Sequence, residues 1–447
     1  MANWLERTYW SAFVLWNLRG QGRFAFRPLA KIEALQGRRV RSMVRHAYAT
    51  VPFYREAMDA AGLSPQDIRA AGDLALLPLV EGEQLAFEPE RFRSTAFDPG
   101  RCLEVKTSGT SQRPKRILYD PAAVFIALAH RRRERAIFKR FVGRTGRLRR
   151  LALVKEVTSS TVTADYQRRH AWLPGLRWGR TAPLALPREG IEENVRLFNA
   201  SKPDLLFGYG SIVGALFRWC HEKGVEPHRP KLVVYAAENL PEADRGLIEG
   251  RFGIPVVSSY SANETMTIAY QCERRSGFHV ALDDVAVRVV DRNGRPVEPG
   301  GTGEIVVSNL FNRATVLLNY KLGDIVTLGN DPCPCGRTLP TLKRIEGRSN
   351  DRMALPDGSF EHVWVIVDLL ETVPGIVQLQ FVQEAVLRFR VRAIWGGRIP
   401  HEEIRRGFER VVKEHFGATA ELEVEFVETM PPGPSGKVRK VISHCTN

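Results

Sequence analysis

Four short stretches of the chain carry residue types suited to handling a nucleotide. Lys106-Thr107-Ser108-Gly109-Thr110-Ser111-Gln112-Arg113-Pro114-Lys115 sets hydroxyls and a glycine between cations. Such a loop turns backbone N–H groups and hydroxyl donors toward phosphate oxygens, although it lacks the Gly-Lys-Ser/Thr ending of a P-loop. Ser258-Ser259-Tyr260-Ser261-Ala262-Asn263-Glu264 follows the apolar Val256-Val257 run, which places it at the C-terminal end of a strand. Open α/β sheets hold their ligands there. The Tyr260 ring can stack on a planar base, and the Glu264 carboxylate can take Mg2+. In Leu318-Asn319-Tyr320-Lys321-Leu322-Gly323-Asp324 an Asp follows a Gly and can accept both hydroxyls of a ribose. In Pro434-Ser435-Gly436-Lys437 the Lys437 ammonium can neutralise charge developing on a phosphate. Singly, each stretch reads as well as a turn or a helix cap. The information lies in the set and its order.

A different chemistry is offered by Cys333-Pro334-Cys335 together with Cys272 and His279. Three thiols and one imidazole complete a closed tetrahedral zinc set, with two ligands from one tight turn. The competing reading is free thiols beside an unrelated His, because the spacing differs from a paired Cys-x-x-Cys site. The zinc reading is preferred, as a staple without a catalytic role. Cys102, Cys220 and Cys445 read as ordinary residues. His170, His221, His228, His401, His415 and His444 lie in polar contexts, and His46 and His130 in helical stretches. None forms a triad, and no Gly-x-Ser-x-Gly elbow is present.

The elements that must position these residues follow from patterning. Leu29–Ala47 has helical spacing and stops at Pro52. Leu151–Val154, Leu205–Phe207, Lys231–Tyr235 and Pro255–Val257 read as buried strands, with helices between them at Ile191–Ala200 and Ile212–Lys223. This alternation predicts an α/β domain with a largely parallel sheet. Val285, Val287 and Val289 alternate, turn at Asp291–Gly294 and return at Glu304–Val307, as an antiparallel hairpin or small barrel. After Gly347-Arg348-Ser349-Asn350-Asp351 a module reads helix (Val363–Val373), strand pair (Val377–Gln383, Val386–Val391), helix (His401–Phe416) and strand (Glu421–Val427). Trp4, Tyr9, Trp10, Phe13, Trp16 and Leu18 form an amphipathic face. Packing on the main body is the preferred reading of it, with a membrane-surface helix as the alternative.

Composition bounds the function classes. The 447 residues are 44% hydrophobic and 26% charged, which excludes a disordered or fibrous chain. Six cysteines are too few for a disulfide scaffold. No run approaches the roughly 20 apolar residues of a membrane span. Glu6 precedes only a short apolar stretch, which argues against a signal peptide, so a soluble cytoplasmic protein is expected. The net charge is +15, yet the cations are scattered, with local clusters at Arg131–Arg135 and at Arg144, Arg147, Arg149 and Arg150. Without a nucleic-acid motif, a polyanionic small substrate accounts for that charge better than nucleic acid does.

In this order and spacing, the four stretches resemble the adenylate-forming superfamily, and most closely its phenylacetate–CoA ligase branch with relatives from capsule-polysaccharide operons. The resemblance extends to Val51-Pro52-Phe53-Tyr54-Arg55, Leu74–Pro78, Tyr235-Ala236-Ala237-Glu238 and the hinge-like Gly347–Asp351. It implies a two-domain fold: a large N-terminal α/β domain over 1–348, with a mainly helical lead-in over 1–100 and a barrel-like subregion, and a small mobile C-terminal α+β domain over 349–447. It implies an AMP-forming ligase that adenylates a carboxylate with MgATP and then passes the acyl group to CoA. Thr107, Ser108, Gly109, Thr110, Ser111 and Lys115 would bind the ATP phosphates, and Glu238 and Tyr260 would border the adenine. Asp324 would hold the ribose with Arg348 nearby, Glu264 would ligate Mg2+, Lys437 would serve adenylation, and Asp351 would be the hinge. Some members of the branch carry a Cys/His set like the one above, and relatives are often dimers. Two alternatives stay open: a ligase whose acceptor is a carrier protein, an amine or a sugar, and a catalytically degenerate scaffold in polysaccharide or secondary-metabolite assembly.

Overall fold

The computed structural model describes residues 3–107, 113–143, 148–154, 158–172, 180–185, 190–349, 352–430 and 440–445. They form two compact units. The first comprises Met1–Gly143, Val157–Arg177 and Ser258–Ile345; the second comprises Arg144–Glu156, Trp178–Val257 and Glu346–Asn447.

The first unit opens on helices. Trp4–Asn17 is capped by Asn3, whose side chain accepts from the Glu6 N–H at 2.8 Å. Leu29–Thr50 buries Ile32, Gln36, Val40, Met43, Val44 and Ala47, spaced to share one face. Pro52 ends that helix and also opens the next, Pro52–Ala60, because a proline at the first helical position forfeits no hydrogen bond. The β part is antiparallel. Val285–Val290 pairs with Thr302–Asn309, which pairs with Tyr320–Leu328. Val256–Ala262 pairs with Met266–Gln271, which pairs with Phe278–Val280, and this last also meets Thr341–Arg348. The expected hairpin is therefore present within a larger antiparallel array. The strand from Val256 runs on through Ser259 and Tyr260 to Ala262, farther than its apolar start suggested.

The signature residues near the N-terminus prop up one strand of this array. Tyr54 is fully buried; its hydroxyl accepts from the Leu318 N–H at 2.6 Å and donates to the Leu318 carbonyl at 3.1 Å. Asn319 has a left-handed backbone, φ 54. Its amide donates to the Leu77 carbonyl at 2.7 Å, its N–H to the Ser308 hydroxyl at 2.8 Å, and its carbonyl accepts from the Val80 N–H at 3.0 Å. Asn tolerates this conformation better than most residues, and here it aims the start of Tyr320–Leu328.

The second unit holds parallel strands in the order Arg180–Ala185, Arg149–Val154, Leu205–Tyr209 and Leu232–Ala236. The helices Ile191–Ser201 and Gly210–Lys223 lie between them in sequence, as the alternating pattern predicted. The same unit contains a four-stranded sheet in the order Glu421–Phe426, Arg388–Trp395, Ile376–Ala385 and Val441–Ser443. Helices Trp364–Leu370 and His401–Phe416 belong to this module, and its core includes Phe381, Phe389, Val391, Ile404 and Phe408. The helix Gly210–Lys223 packs on the strand Ile376–Ala385.

Candidate active site

Motifs far apart in sequence converge in the first unit. The Lys115 ammonium donates to the Tyr320 hydroxyl at 2.7 Å and to Glu264 Oε1 at 3.2 Å, and the Tyr320 hydroxyl also reaches Glu264 Oε1 at 3.2 Å. The Glu264 carboxylate is 7% exposed and the Lys115 side chain 14%. Burial makes such a charge costly alone, so the carboxylate is held by a cation and a hydroxyl. One strand turn away, the Tyr260 hydroxyl donates to Asp324 Oδ2 at 2.6 Å. The pairs run in opposite senses: residue 260 meets 324, and residue 264 meets 320. A register shift at Tyr260/Ser261 accompanies the crossing, a common device for re-aiming side chains at functional sites.

The phosphate-type loop is anchored at both ends. The Thr107 N–H donates to the Lys115 carbonyl at 3.0 Å, and the Lys115 N–H donates to Thr107 Oγ1 at 3.1 Å. Asn263 reaches the Lys106 carbonyl at 3.2 Å, and Tyr119 donates to the Asn263 carbonyl at 2.7 Å. The rim of the loop is thus tied to the Tyr260–Glu264 segment. Ser108, Gly109, Thr110 and Ser111 lie outside the described residues, as do Asp351 and Lys437.

In the second unit, Glu238 follows the strand Leu232–Ala236, and its carboxylate accepts from the Ser211 hydroxyl. Ala237 has a left-handed backbone, φ 67. Five non-glycine residues among those described share that trait, and Ala237, Met266, Arg275 and Asn319 all lie within a few residues of candidate site side chains. Strained backbone of this kind persists where the surroundings hold it, often beside binding sites. Arg348 ends the strand Thr341–Arg348 and is exposed.

The four sulfur and imidazole ligands meet. Every ligand atom of Cys272, His279, Cys333 and Cys335 lies within 4.8 Å of the others. Cys272 Sγ and Cys333 Sγ are 3.6 Å apart, and Cys335 Sγ lies 3.4 Å from His279 Nε2. A disulfide would need about 2.05 Å. Tetrahedral zinc with bonds of about 2.0–2.3 Å separates its ligand atoms by roughly 3.4–3.8 Å. The donor set therefore fits such an ion. Burial pushes the Cys272 thiol up to about 12 and the His279 imidazole down to about 4. The neutral imidazole is the form a metal takes, and a metal would deprotonate the thiol outright.

Two buried ionic clusters had no counterpart in the sequence reading. His130, taken there as a plain helix residue, is 6% exposed, and its Nδ1 lies 2.6 Å from Asp284. Arg133 grips Asp283 with both terminal nitrogens, at 2.6 and 2.8 Å, and Arg39 lies 3.1 Å from Asp284. In the second unit Arg218 bridges Asp244 at 2.9 Å and Glu371 at 3.1 Å, and Lys440 donates to Glu371 at 2.6 Å. Tyr320 was also missed as a site residue, although it sits inside a motif already singled out. Lys440, three residues past Lys437, was in plain view.

A model of the CapK C-terminal domain matches residues 354–444. The phenylacetate-coenzyme A ligase of Thermus thermophilus is 25% identical over 451 residues, covering 93% of this chain and 97% of that protein. Protein CapK of Staphylococcus aureus is 25% identical over 260 residues, 57% of this chain and 56% of its own. A 2-hydroxyisobutyryl-CoA ligase, solved in the postadenylation state with R3-HIB-AMP, superposes with a TM-score of 0.75 over 94% of this chain and 91% of that one at 21% identity. At that identity the superposition establishes the fold.

Proposed function

We propose that the chain is a member of the adenylate-forming superfamily, in its phenylacetate–CoA ligase and CapK branch, supported by the matches above, and that it joins a small carboxylic acid to CoA at the expense of ATP. A carboxylate oxygen attacks the α-phosphorus of ATP, and the bond to the pyrophosphate oxygen breaks. The acyl-adenylate then takes a thiolate at its carbonyl carbon and releases AMP. The observation that carries this reading is the double crossing of Tyr260 with Asp324 and of Glu264 with Tyr320 and Lys115. It brings a ring, a ribose-type acceptor, a carboxylate and a cation into one neighbourhood.

The roles follow from those contacts. Asp324 accepts the ribose hydroxyls, exchanging its bond from Tyr260 for them. Tyr260 and Glu238 border the adenine, with Arg348 near the ribose. Lys115 and the Thr107–Ser111 loop meet the phosphates, so Lys115 must turn from Glu264 toward the nucleotide. Glu264 is then free to hold Mg2+, which would offset phosphate charge. No protein nucleophile is needed; charge neutralisation at the α-phosphate is the main requirement, and Lys437 supplies it. The module from residue 349 onward swings about Asp351 after adenylation, replacing Lys437 with the surface that admits the thiol. Cys272, His279, Cys333 and Cys335 hold a zinc ion whose task is to staple their loops.

Pyrophosphate release from MgATP, measured over aryl, alkyl and amino carboxylates with and without CoA, tests the reading. Release with one class of acid, raised by CoA, is expected. Release unaffected by CoA and raised by a carrier protein, an amine or a sugar would replace the acceptor. Failure of the folded protein to bind ATP would overturn the proposal. Lys437→Ala should cost adenylation several kcal/mol, on the order of 3–4, while leaving ATP binding in place.

A further inference from the structure

The N-terminal helix Trp4–Asn17 has two apolar faces, and the protein body covers one. Val14 is fully buried, and the Trp10 ring stacks on Phe125 with centroids 4.9 Å apart. On the other side Trp4 is 67% exposed, Leu5 68%, Tyr9 59%, Leu15 59% and Trp16 68%. At 100° per residue these five fall within an arc of about 140°, along with exposed Thr8 and Ala12. A single exposed leucine is ordinary, but five contiguous large side chains on one helix are not.

The surroundings of the patch are basic. Arg19, exposed just past the end of the helix, sets its guanidinium 4.7 Å from the Trp16 ring. Arg7 sits over the Trp172 ring at 3.4 Å and donates to the Arg168 carbonyl at 3.4 Å. Trp172 is 49% exposed and tied to Ser11 at 2.8 Å, so it borders the arc on that flank. Arg168 and its neighbour Arg169, beside the Arg7 contact, are exposed. The acids here are few: Glu6 is half-buried toward the packed side, and Asp165 is paired with Arg168.

We propose that this face docks the protein on an anionic membrane surface. Trp and Tyr carry an apolar body with a polar handle, which suits the headgroup layer. A helix of this kind lies in the interface plane, with its apolar face about 5–10 Å deep and its cations toward anionic lipid. The net charge of +15 adds long-range attraction of the same sign. No helix among the described residues is long and apolar enough to cross a membrane, and this one, 14 residues long, would lie along the surface. A neutral or basic protein partner would leave the rim arginines unpaired, and a second copy of this chain would bring the same arginines together; an acidic protein would meet the arginines but has no headgroup layer for the Trp4, Tyr9 and Trp16 rings between them.

Flotation with phosphatidylcholine vesicles, with and without phosphatidylglycerol, tests this on the full chain. Binding to the phosphatidylglycerol vesicles is expected, with less to pure phosphatidylcholine and a decline with salt. The triple change Trp4→Ser, Leu5→Ser and Trp16→Ser should weaken it by at least about tenfold, the factor carried by one bulky side chain leaving an apolar surrounding. Arg19→Glu should weaken binding to the anionic vesicles alone. All four side chains are exposed, so the melting temperature and ATP-dependent turnover on soluble substrates should not change. Absence of flotation with a folded wild-type chain would overturn the proposal. So would a concentration-dependent dimer that the triple change dissolves without any vesicle binding, since a second copy would then be the occupant.

Discussion

Within the first unit, the Cys272, His279, Cys333 and Cys335 cluster and the His130, Asp283 and Asp284 cluster satisfy the same geometric condition, with ligand atoms in each lying within 4.8 Å of one another. They differ in what balances their charge. Around Asp283 and Asp284 the cations are built in: Arg133 binds Asp283 through two nitrogens, and Arg39 and His130 reach Asp284. A further divalent ion there would face two guanidiniums. Around the thiols one guanidinium, Arg337, is shared between Glu273, at 2.9 Å, and the Cys335 side chain, and the thiols otherwise face one another and a neutral imidazole. Ligand convergence alone therefore does not mark a metal site. A buried group of anions needs cations, and protein side chains or an ion can supply them.

Removing the ion is the sharpest way to break this comparison. Metal analysis should find a single zinc per chain, lost in the Cys272→Ser, Cys335→Ser double variant and unchanged in Asp283→Asn. Zinc bound by small structural sites contributes about 10–16 kcal/mol to folding, so chelation should lower the melting temperature more than any single side-chain change. Zinc that survives in the double variant, or no zinc at all, would remove the distinction drawn between the clusters.

The arginine-balanced cluster should fail in a different manner. Arg133→Met strips Asp283, 1% exposed, of both short bonds and leaves it only the longer, partly exposed Arg39 contact at 3.5 Å beside its neighbour Asp284, at a cost of about 3 kcal/mol. Adding Asp283→Asn should recover part of that cost, since the poorly compensated charge is then gone. Acid should report on the same pair. Burial alone would raise the Asp283 carboxyl, but Arg133, His130 and Arg39 outweigh it and hold the group well below its ordinary 3.8. A depressed folded pKa means that this contribution is complete above pH 3.8 and is lost as pH falls below it. Denaturation curves should therefore show Asp283→Asn flattening the acid limb below that value. An unchanged acid limb would mean that the pair carries no such linkage.

These differences bear on what the amino-acid pattern reveals. The C-terminal module was legible because Ile404, Phe408 and Val412 recur at helical spacing and the strand before them, Arg388–Trp395, alternates. The strand Arg180–Ala185 was not, since it carries Pro183, and a proline argues against a strand unless it lies at a sheet edge. Val441–Ser443 is too short to declare itself. Tyr260, Glu264 and Asp324 could be singled out by type and local spacing. Their pairing across 64 positions could not be, because it is a side-chain contact between strands that are not neighbours, nor could the stretch from Ser259 to Ala262 be seen as strand, because it depends on its antiparallel partner Met266–Gln271. The ionic clusters were invisible for a further reason. Arginine and aspartate are exposed by default, and burial becomes evident only once the partner, such as Asp283 for Arg133 150 positions away, is in place.

The second unit offers the mildest test of the same principle. Burial would raise the Glu371 carboxyl, yet Lys440 and Arg218 together outweigh it and hold the group below its ordinary value. Because the cation that remains, Arg218, is buried and hydrogen-bonded to Glu371 at 3.1 Å, Lys440→Met should cost only about 1.5–3 kcal/mol. Lys440 also lies three residues beyond Lys437, on the chain that returns to the strand Val441–Ser443. As a positioning residue it should set how well that loop is seated. Single-turnover adenylation in Lys440→Met should fall roughly tenfold, about 1.4 kcal/mol in barrier, while ATP affinity and acyl transfer from preformed acyl-adenylate stay near the parental values. Lys440→Arg, which keeps the cation, should restore most of the rate. If both half-reactions fell together, or if Lys440→Arg rescued nothing, Lys440 would be a structural cation like Arg133, and the resemblance between the two ionic clusters would be complete.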